Sequence, residues 1–321
     1  MGARYFRYSG CLHSKPLHSK TQSRPALTTI ILATPRSLPK AANLSGRVAV
    51  LDIAFASNAG GMSFEKVTGK FITQLGSRLA LWVDHHDSDY HAQFAGDSRF
   101  VLHRKAEHGA CPELITPALV AGAGQIDCIV CHHDFDGLMS AAKWLRGGYE
   151  CYAGADTDAF AIDTCSAQPS DLAQAIQRSI LTQAQNRDWL LRIVDFLVDG
   201  AKNPEMLAEI EKMGRPYRQL QQASAALAMQ FVPAAKDTVL VTVPPDWPSY
   251  DRTHLLLLGQ SQARIAAVLD RDTLTFAAHY KSGINFLTLF ALSGGMPTVV
   301  SVNAKDLDWT MAAIDARLDG A

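Results

Sequence analysis

Acidic residues are missing from the first 51 positions, which hold eight lysines and arginines. The first 25 of these, basic and serine-containing, read as a tail, a targeting segment or sequence upstream of the true start, apart from the folded chain. The remainder carries 22 basic against 31 acidic residues, a net charge of −9. Such a balance argues against a surface built to hold duplex DNA. Cysteine is scarce as well, and six in 321 residues are too few for a disulfide scaffold. The one C-x-x-C pair, Cys128 and Cys131, lies in an apolar run with no second pair to complete a zinc site, so both read as packing residues. Reduced thiols point to the cytoplasm. Long apolar runs are lacking too: "THLLLLG" and "NFLTLFAL" fall well short of the roughly 18 to 20 residues that span a bilayer. With 48% hydrophobic and 19% charged residues, the chain is expected to be soluble, to bury a large core and to divide into domains.

Four stretches are apolar at consecutive positions, the pattern of strands buried on both faces. They are residues 27–33, 47–55, 78–84 and 127–134. Helical periodicity follows the second in 63–76, with Phe64, Val67, Phe71 and Leu75 on one face, and the fourth in 137–148, stopped by Gly147-Gly148. Strands alternating with helices predict an α/β fold with a doubly wound, mostly parallel sheet over 26–168. Residues 169–236 read as a helical connector, with a hinge near 225–237. Residues 237–321 read as a smaller α+β domain, whose strands are "DTVLVTV", "ARIAAVLD", "TLTFAAHY" and "TVVSV".

The ends of these strands are unusual. "RVAVLDIAF" carries Asp52, "LALWVDHHD" ends in Asp84, His85 and His86, and "CIVCHHDFDG" delivers His132, His133, Asp134 and Asp136. A buried charge without a partner is among the costliest things a fold can hold. In doubly wound sheets ligands bind at the carboxyl ends of the strands, so these groups are expected to converge on one crevice. Crowded carboxylates raise one another's pKa values, and two divalent cations remove that penalty. A mixed Asp and His shell around two ions suits displacement at phosphorus. It favours Mn²⁺ or Co²⁺, with Mg²⁺ also compatible, over an all-oxygen Ca²⁺ site.

"VAVLD" at 48–52, "VDHH" at 83–86 and "HHDFDGLMSAA" at 132–142 resemble the DHH phosphoesterase superfamily of RecJ-type nucleases, oligoribonucleases and family II pyrophosphatases. The resemblance implies Asp52, Asp84, His85, His132, Asp134 and Asp136 as metal ligands, with Asp52 bridging. It implies that His86 faces the substrate phosphate or leaving group, with Asp84 and His133 as further catalytic candidates. The family's later Asp, often followed by Thr, is matched by Asp156, with Asp158 and Asp163 as rivals. The motif order is rearranged, as in a circularly permuted sheet that keeps the HxDxD strand beside the Asp52 strand. The segment 280–297 resembles the family's substrate-binding domain, with Ser282, Gly294 and Gly295 as phosphate contacts, Ser293 beside them, and Met296 where a histidine is usual. The implied substrate is a short oligonucleotide or small nucleotide phosphoester, and a homodimer is compatible with this reading.

Two other classes stay open. "DFDG" also matches the haloacid dehalogenase-type phosphatases, with Asp134 as nucleophile and Asp136 as acid. The chain could equally have kept the fold as an inactive nucleotide-binding protein. "HHDFDG" fails as a calcium loop because Lys143 stands where a bidentate Glu is required. His91, His103 and His108 read as surface residues. Arg252, His254, His279 and Lys281 are further candidate phosphate contacts. Ser140 serves either the site or close helix packing.

Overall fold

The apolar runs pair in parallel, as burial on both faces demands. The computed structural model describes residues 28–56, 63–105, 107–164, 167–279, 281–292 and 297–318. The basic segment 1–25 and Ser293, Gly294, Gly295 and Met296 lie outside the described residues. Strands β1 (Thr29–Ala33), β2 (Val48–Leu51), β3 (Leu79–Asp84), β4 (Phe100–Leu102) and β5 (Cys128–His132) form one sheet in the order β1-β5-β2-β3-β4, every pair parallel. The strand bearing His132 thus lies directly beside the strand that leads to Asp52.

The helices are α1 (Lys70–Leu75), α2 (Pro117–Ala123), α3 (Phe135–Leu145), α4 (Ala155–Thr164), α5 (Asp171–Thr182), α6 (Arg187–Val198) and α7 (Pro204–Ala228). Side chains alternate across a strand, and the sheet is filled accordingly on both faces. Leu51, Leu81, Val83, Ile129 and Cys131 pack with residues of α3, α5 and α6. Val48, Val50, Trp82 and Val130 pack with Phe64, Phe71 and Leu75 on the opposite face. Cys128 and Cys131 are free thiols buried in β5, in keeping with a packing role.

A second, mixed sheet follows, built from β6 (Val232–Ala235), β7 (Thr238–Thr242), β8 (Ile265–Asp270), β9 (Thr273–Ala278) and β10 (Val299–Asn303) in the order β10-β9-β8-β7-β6. Only β7 and β8 run parallel. It is flanked by α8 (Arg252–Gln260), α9 (Phe286–Leu289) and α10 (Leu307–Leu318). Leu227 and Ala228 at the end of α7 join the core on one face of this sheet, so the long helix is packed against the C-terminal unit. No helix among the described residues is long and apolar enough to cross a membrane.

Three elements differ from the sequence pattern. The strand expected over 47–55 stops at Leu51, because Asp52 turns into the left-handed region with φ of 57°. β4 is too short to leave a pattern, and β6 carries Pro233, whose missing N–H suits an edge strand but reads as a breaker. Within the helical connector, α7 continues unbroken through Pro216.

Candidate metal centre

Asp52, Asp84, His85, His132, Asp134 and Asp136 all arrive at the carboxyl edge of the parallel sheet. Asp52 follows β2 at once, with its backbone N–H donating to the Val83 carbonyl at 2.9 Å. Its side chain is 1% exposed, and neither carboxylate oxygen has a hydrogen-bond partner of good geometry. Asp84 ends β3, and both it and His85 are fully buried. His132 ends β5. Asp134 then caps α3, its Oδ1 accepting from the Gly137 N–H at 3.0 Å, while its Oδ2 lies 2.7 Å from His132 Nδ1. Glycine is required at 137, since a Cβ there would sit 2.4 Å from the His132 carbonyl oxygen. Two residues on, in the first turn of α3, buried Asp136 accepts from the Cys111 N–H at 3.0 Å through Oδ2 and leaves Oδ1 without a donor.

These side chains make three overlapping groups with ligand atoms close enough for a cation: Asp52 with His85 and His86, Asp52 with His132 and Asp134, and His85 with Asp136 and Asp163. The donor chemistry fits a metal. His85 Nδ1 lies 3.0 Å from the His108 carbonyl, which can only accept, so Nδ1 carries the hydrogen and Nε2 is the atom turned to the carboxylates. Nε2 stands 3.4 Å from Asp52 Oδ1, 3.1 Å from Asp136 Oδ2 and 3.7 Å from Asp163 Oδ2. Imidazole ligands are oriented in this way, by giving their other N–H to a backbone carbonyl.

The electrostatics match. Burial, followed by the charges of Asp136 and Asp134, pushes the Asp52 carboxyl well above the usual range. Burial likewise raises Asp136 to about 6, against hydrogen bonding from His85 and with the Asp163 charge adding to it. Burial opposes a charged His85, but the hydrogen bonds its ring nitrogen donates to Asp136 and Asp52, with their charges, prevail and lift it to about 11. Asp134 goes the other way. Burial is outweighed there by the His132 hydrogen bond and charge, which bring it down to about 2. Without cations, then, burial and crowding draw Asp52, Asp136 and His85 toward their protonated forms, in the place where a dication would supply the charge.

Other sequence candidates have different partners. Asp84 is outside the three groups, and its Oδ1 instead holds His86 Nδ1 at 2.8 Å. Asp156, matched to the family's late aspartate, is bound 2.5 Å from Lys143 Nζ at the start of α4. Asp158 accepts from the Tyr152 hydroxyl and from Ser170. Of the three rivals, Asp163 at the other end of α4 is the one in a group. His133 turns away toward β1, with Nδ1 3.4 Å from the Ala33 carbonyl. Ser282 shapes a turn in the C-terminal unit, its Oγ accepting from the Ile284 N–H, and Gly294 and Gly295 are outside the described residues. Arg252 faces Asp270 at 3.5 Å. His254 lines a cavity of about 520 Å³ between connector and C-terminal unit, together with Tyr217, Gln177 and Ile162.

Some of the neighbourhood carries no motif. His91, expected at the surface, has its ring edge-on to Phe55 at 5.2 Å and a buried Nε2. The segment after β4 closes over the cluster. The His103 N–H donates to the Asp84 carbonyl at 3.0 Å, His108 supplies the carbonyl for His85, and Lys105 Nζ lies 2.7 Å from Asp163 Oδ2. Burial works against the Lys105 ammonium, and the charges of Asp163, Asp136 and Asp52 outweigh it, so its pKa is raised.

No family model matches this sequence, and no curated protein matches it significantly. Among solved structures it is similar to a pGpG-specific phosphodiesterase, PggH, from Vibrio cholerae, with 14% identity and a TM-score of 0.38 over 50% of this chain. That match covers 65% of the phosphodiesterase, just under two thirds of its length. It is also similar to the exonuclease RecJ bound to manganese, with 13% identity and a TM-score of 0.41 over 84% of this chain and 74% of that one. An exopolyphosphatase-related protein from Bacteroides fragilis matches with 11% identity and a TM-score of 0.40, over 90% and 92% of the two chains. Likeness at this distance assigns no activity, which has to come from the side chains themselves.

Proposed function

We propose that the chain is a metal-dependent phosphoric ester hydrolase of the DHH type, acting on a short oligonucleotide or small nucleotide phosphoester with two Mn²⁺-like cations. The observation that carries this reading is Asp52: a buried carboxylate whose oxygens have no hydrogen-bond partner of good geometry, common to a group with His132 and Asp134 and to one with His85. Asp52, His132 and Asp134 would hold one cation, and Asp52, His85, Asp136 and Asp163 the other. Cations so held supply charge against phosphoryl oxygens and acidify water. The remaining work falls to side chains. Asp84 fixes the His86 ring through Nδ1, leaving Nε2 of this half-exposed histidine to exchange a proton with the leaving oxygen. Cys111 and Gly137 donate backbone N–H groups that hold Asp136 and Asp134 in place. The cavity beside Tyr217 and His254 has the volume of a site for a small organic ligand.

A phospho-aspartate route through Asp134 and Asp136 would leave the buried Asp52, His85 and Asp163, which gather with them, without a role. Metal analysis, with hydrolysis of bis-p-nitrophenyl phosphate, pApA, pAp and pyrophosphate in Mn²⁺, tests the proposal. Loss of metal and activity together in Asp52→Asn and Asp136→Asn is the expected result. Metal-independent turnover with a trapped acyl phosphate on Asp134 would overturn it.

A further inference from the structure

We propose that Lys105 is a phosphate ligand held in waiting by Asp163: its ammonium neutralises that carboxylate in the absence of a dication, and moves to the non-bridging oxygens of the substrate phosphoryl group once a dication takes Asp163. This rests on the two-cation reading above and adds a residue that no motif marks. The same oxygen, Asp163 Oδ2, lies 2.7 Å from Lys105 Nζ and 3.7 Å from His85 Nε2. A dication and an ammonium cannot both sit on it without strong repulsion, so the lysine has to give way.

Where it goes is limited by its backbone. The segment is tied on one side by the His103 N–H to the Asp84 carbonyl, and on the other by the His108 carbonyl to His85. Gly109 is pressed so closely to α4 that a Cβ would fall 2.3 Å from Phe160 and 2.7 Å from Thr164. Between these anchors the side chain is 31% exposed, which opens a path toward solvent while the Cα stays beside the cluster. The displaced ammonium therefore ends at the rim of the crevice, where an incoming phosphate presents its oxygens. Among the described residues no other lysine or arginine pairs with a carboxylate of the three groups. A flexible point charge suits that exchange, since it swaps one oxygen partner for another without needing a fixed planar geometry.

The test is calorimetry on the full chain after chelator treatment, in wild type, Lys105→Met and Lys105→Arg. Mn²⁺ is titrated first, and inorganic phosphate is then titrated into the Mn²⁺-loaded proteins. Removing the competing ammonium in Lys105→Met is expected to tighten the weaker Mn²⁺ site about tenfold and to weaken phosphate binding about tenfold or more, while Lys105→Arg keeps phosphate binding within about threefold. Two Mn²⁺ per chain with equal affinities in all three proteins overturns the Lys105 assignment and leaves the metal centre standing. Tighter Mn²⁺ with unchanged phosphate affinity also overturns it. No Mn²⁺ uptake by any of them removes the metal centre and this inference together.

Discussion

Replacing Asp52 by Asn should stabilise the chelated protein and abolish its response to metal, two effects of opposite sign from one substitution. The carboxylate is 1% exposed and has no hydrogen-bond partner of good geometry, with His85 Nε2 3.4 Å from Oδ1. If ionised it is desolvated beside Asp134 and Asp136. If protonated it holds its proton well above the pH at which a free aspartate releases it, because burial and the neighbouring carboxylates disfavour the charged form. Asparagine removes either cost and tolerates the left-handed backbone at φ of 57° as well as aspartate does. A gain of roughly 2 kcal/mol, at about 2–4 °C per kcal/mol for a chain of this order, raises Tm by roughly 4–8 °C. Wild type in Mn²⁺ at about 100 times Kd should gain about 2.7 kcal/mol for each site filled. Asp52→Asn should gain nothing, because both sets share the residue. Differential scanning calorimetry with and without Mn²⁺ reads both effects. A lower Tm in the chelated variant, with the Mn²⁺ increment intact, would refute the assignment and leave Asp52 an ordinary structural residue.

The raised groups fix the sign of the pH dependence. Asp136, lifted to about 6, stabilises fully below the unfolded value of 3.8 and loses that contribution as pH rises through 6. His85, lifted to about 11, contributes fully below 6.5 and loses it as pH climbs toward 11. Chelated protein should therefore melt lower at pH 9 than at pH 6, with the difference shrinking in Mn²⁺, and a flat or rising chelated profile in calorimetry would sink this account. Gly137→Ala should cost about 2–4 kcal/mol and disable metal binding, because the added Cβ meets backbone at 2.4 Å, and denaturant midpoints together with Mn²⁺ titration check it. Lys143→Met should destabilise by about 3 kcal/mol by stranding Asp156, and the double variant with Asp156→Leu should recover much of that loss in the same melts. Tyr217→Ala should raise KM for an oligonucleotide while leaving pyrophosphate hydrolysis unchanged, since it lines the cavity beyond the cluster.

The motifs marked the residues of the site, and strand alternation explains how the structure divides them. Leu81 and Val83 face one core and Trp82 the other. Continuing that alternation separates His85 from Asp84 and His86, and the structure has His85 among the carboxylates while Asp84 holds His86. The late aspartate could not be chosen in this way. Asp156 and Asp163 are seven residues apart, two turns along α4, so they share one helix face and are each followed by threonine. The choice is made by tertiary packing: Gly109 lies against Phe160 and Thr164 at the far end of the helix, and Lys143 claims Asp156 at the near end. Lys105, His108 and Cys111 were beyond reach for a related reason. His108 and Cys111 act through backbone atoms, and Lys105 depends on where a loop lands.

The rearranged order of the motifs is of little physical consequence. A parallel sheet places the C-terminal tip of every strand on one edge whatever the sequence order, so the cluster needs only that certain tips be neighbours. β5 pairs with β2 over Val48–Leu51, and β2 pairs with β3 over the same residues, which puts Asp52 between the His132 and His85 tips. The left-handed turn at Asp52 then keeps its carboxylate at the edge, where an extended residue would have carried the chain past it. What the order does decide is the path of the connections. With β5 last of the five strands, α3 leads straight into α4, and the aspartate completing the cluster comes from a helix that follows at once. Asp136 and Asp163 are therefore coupled through a short stretch of chain, and a substitution that shifts α4 should disturb the set containing His85, Asp136 and Asp163 before it touches Asp52, His132 and Asp134.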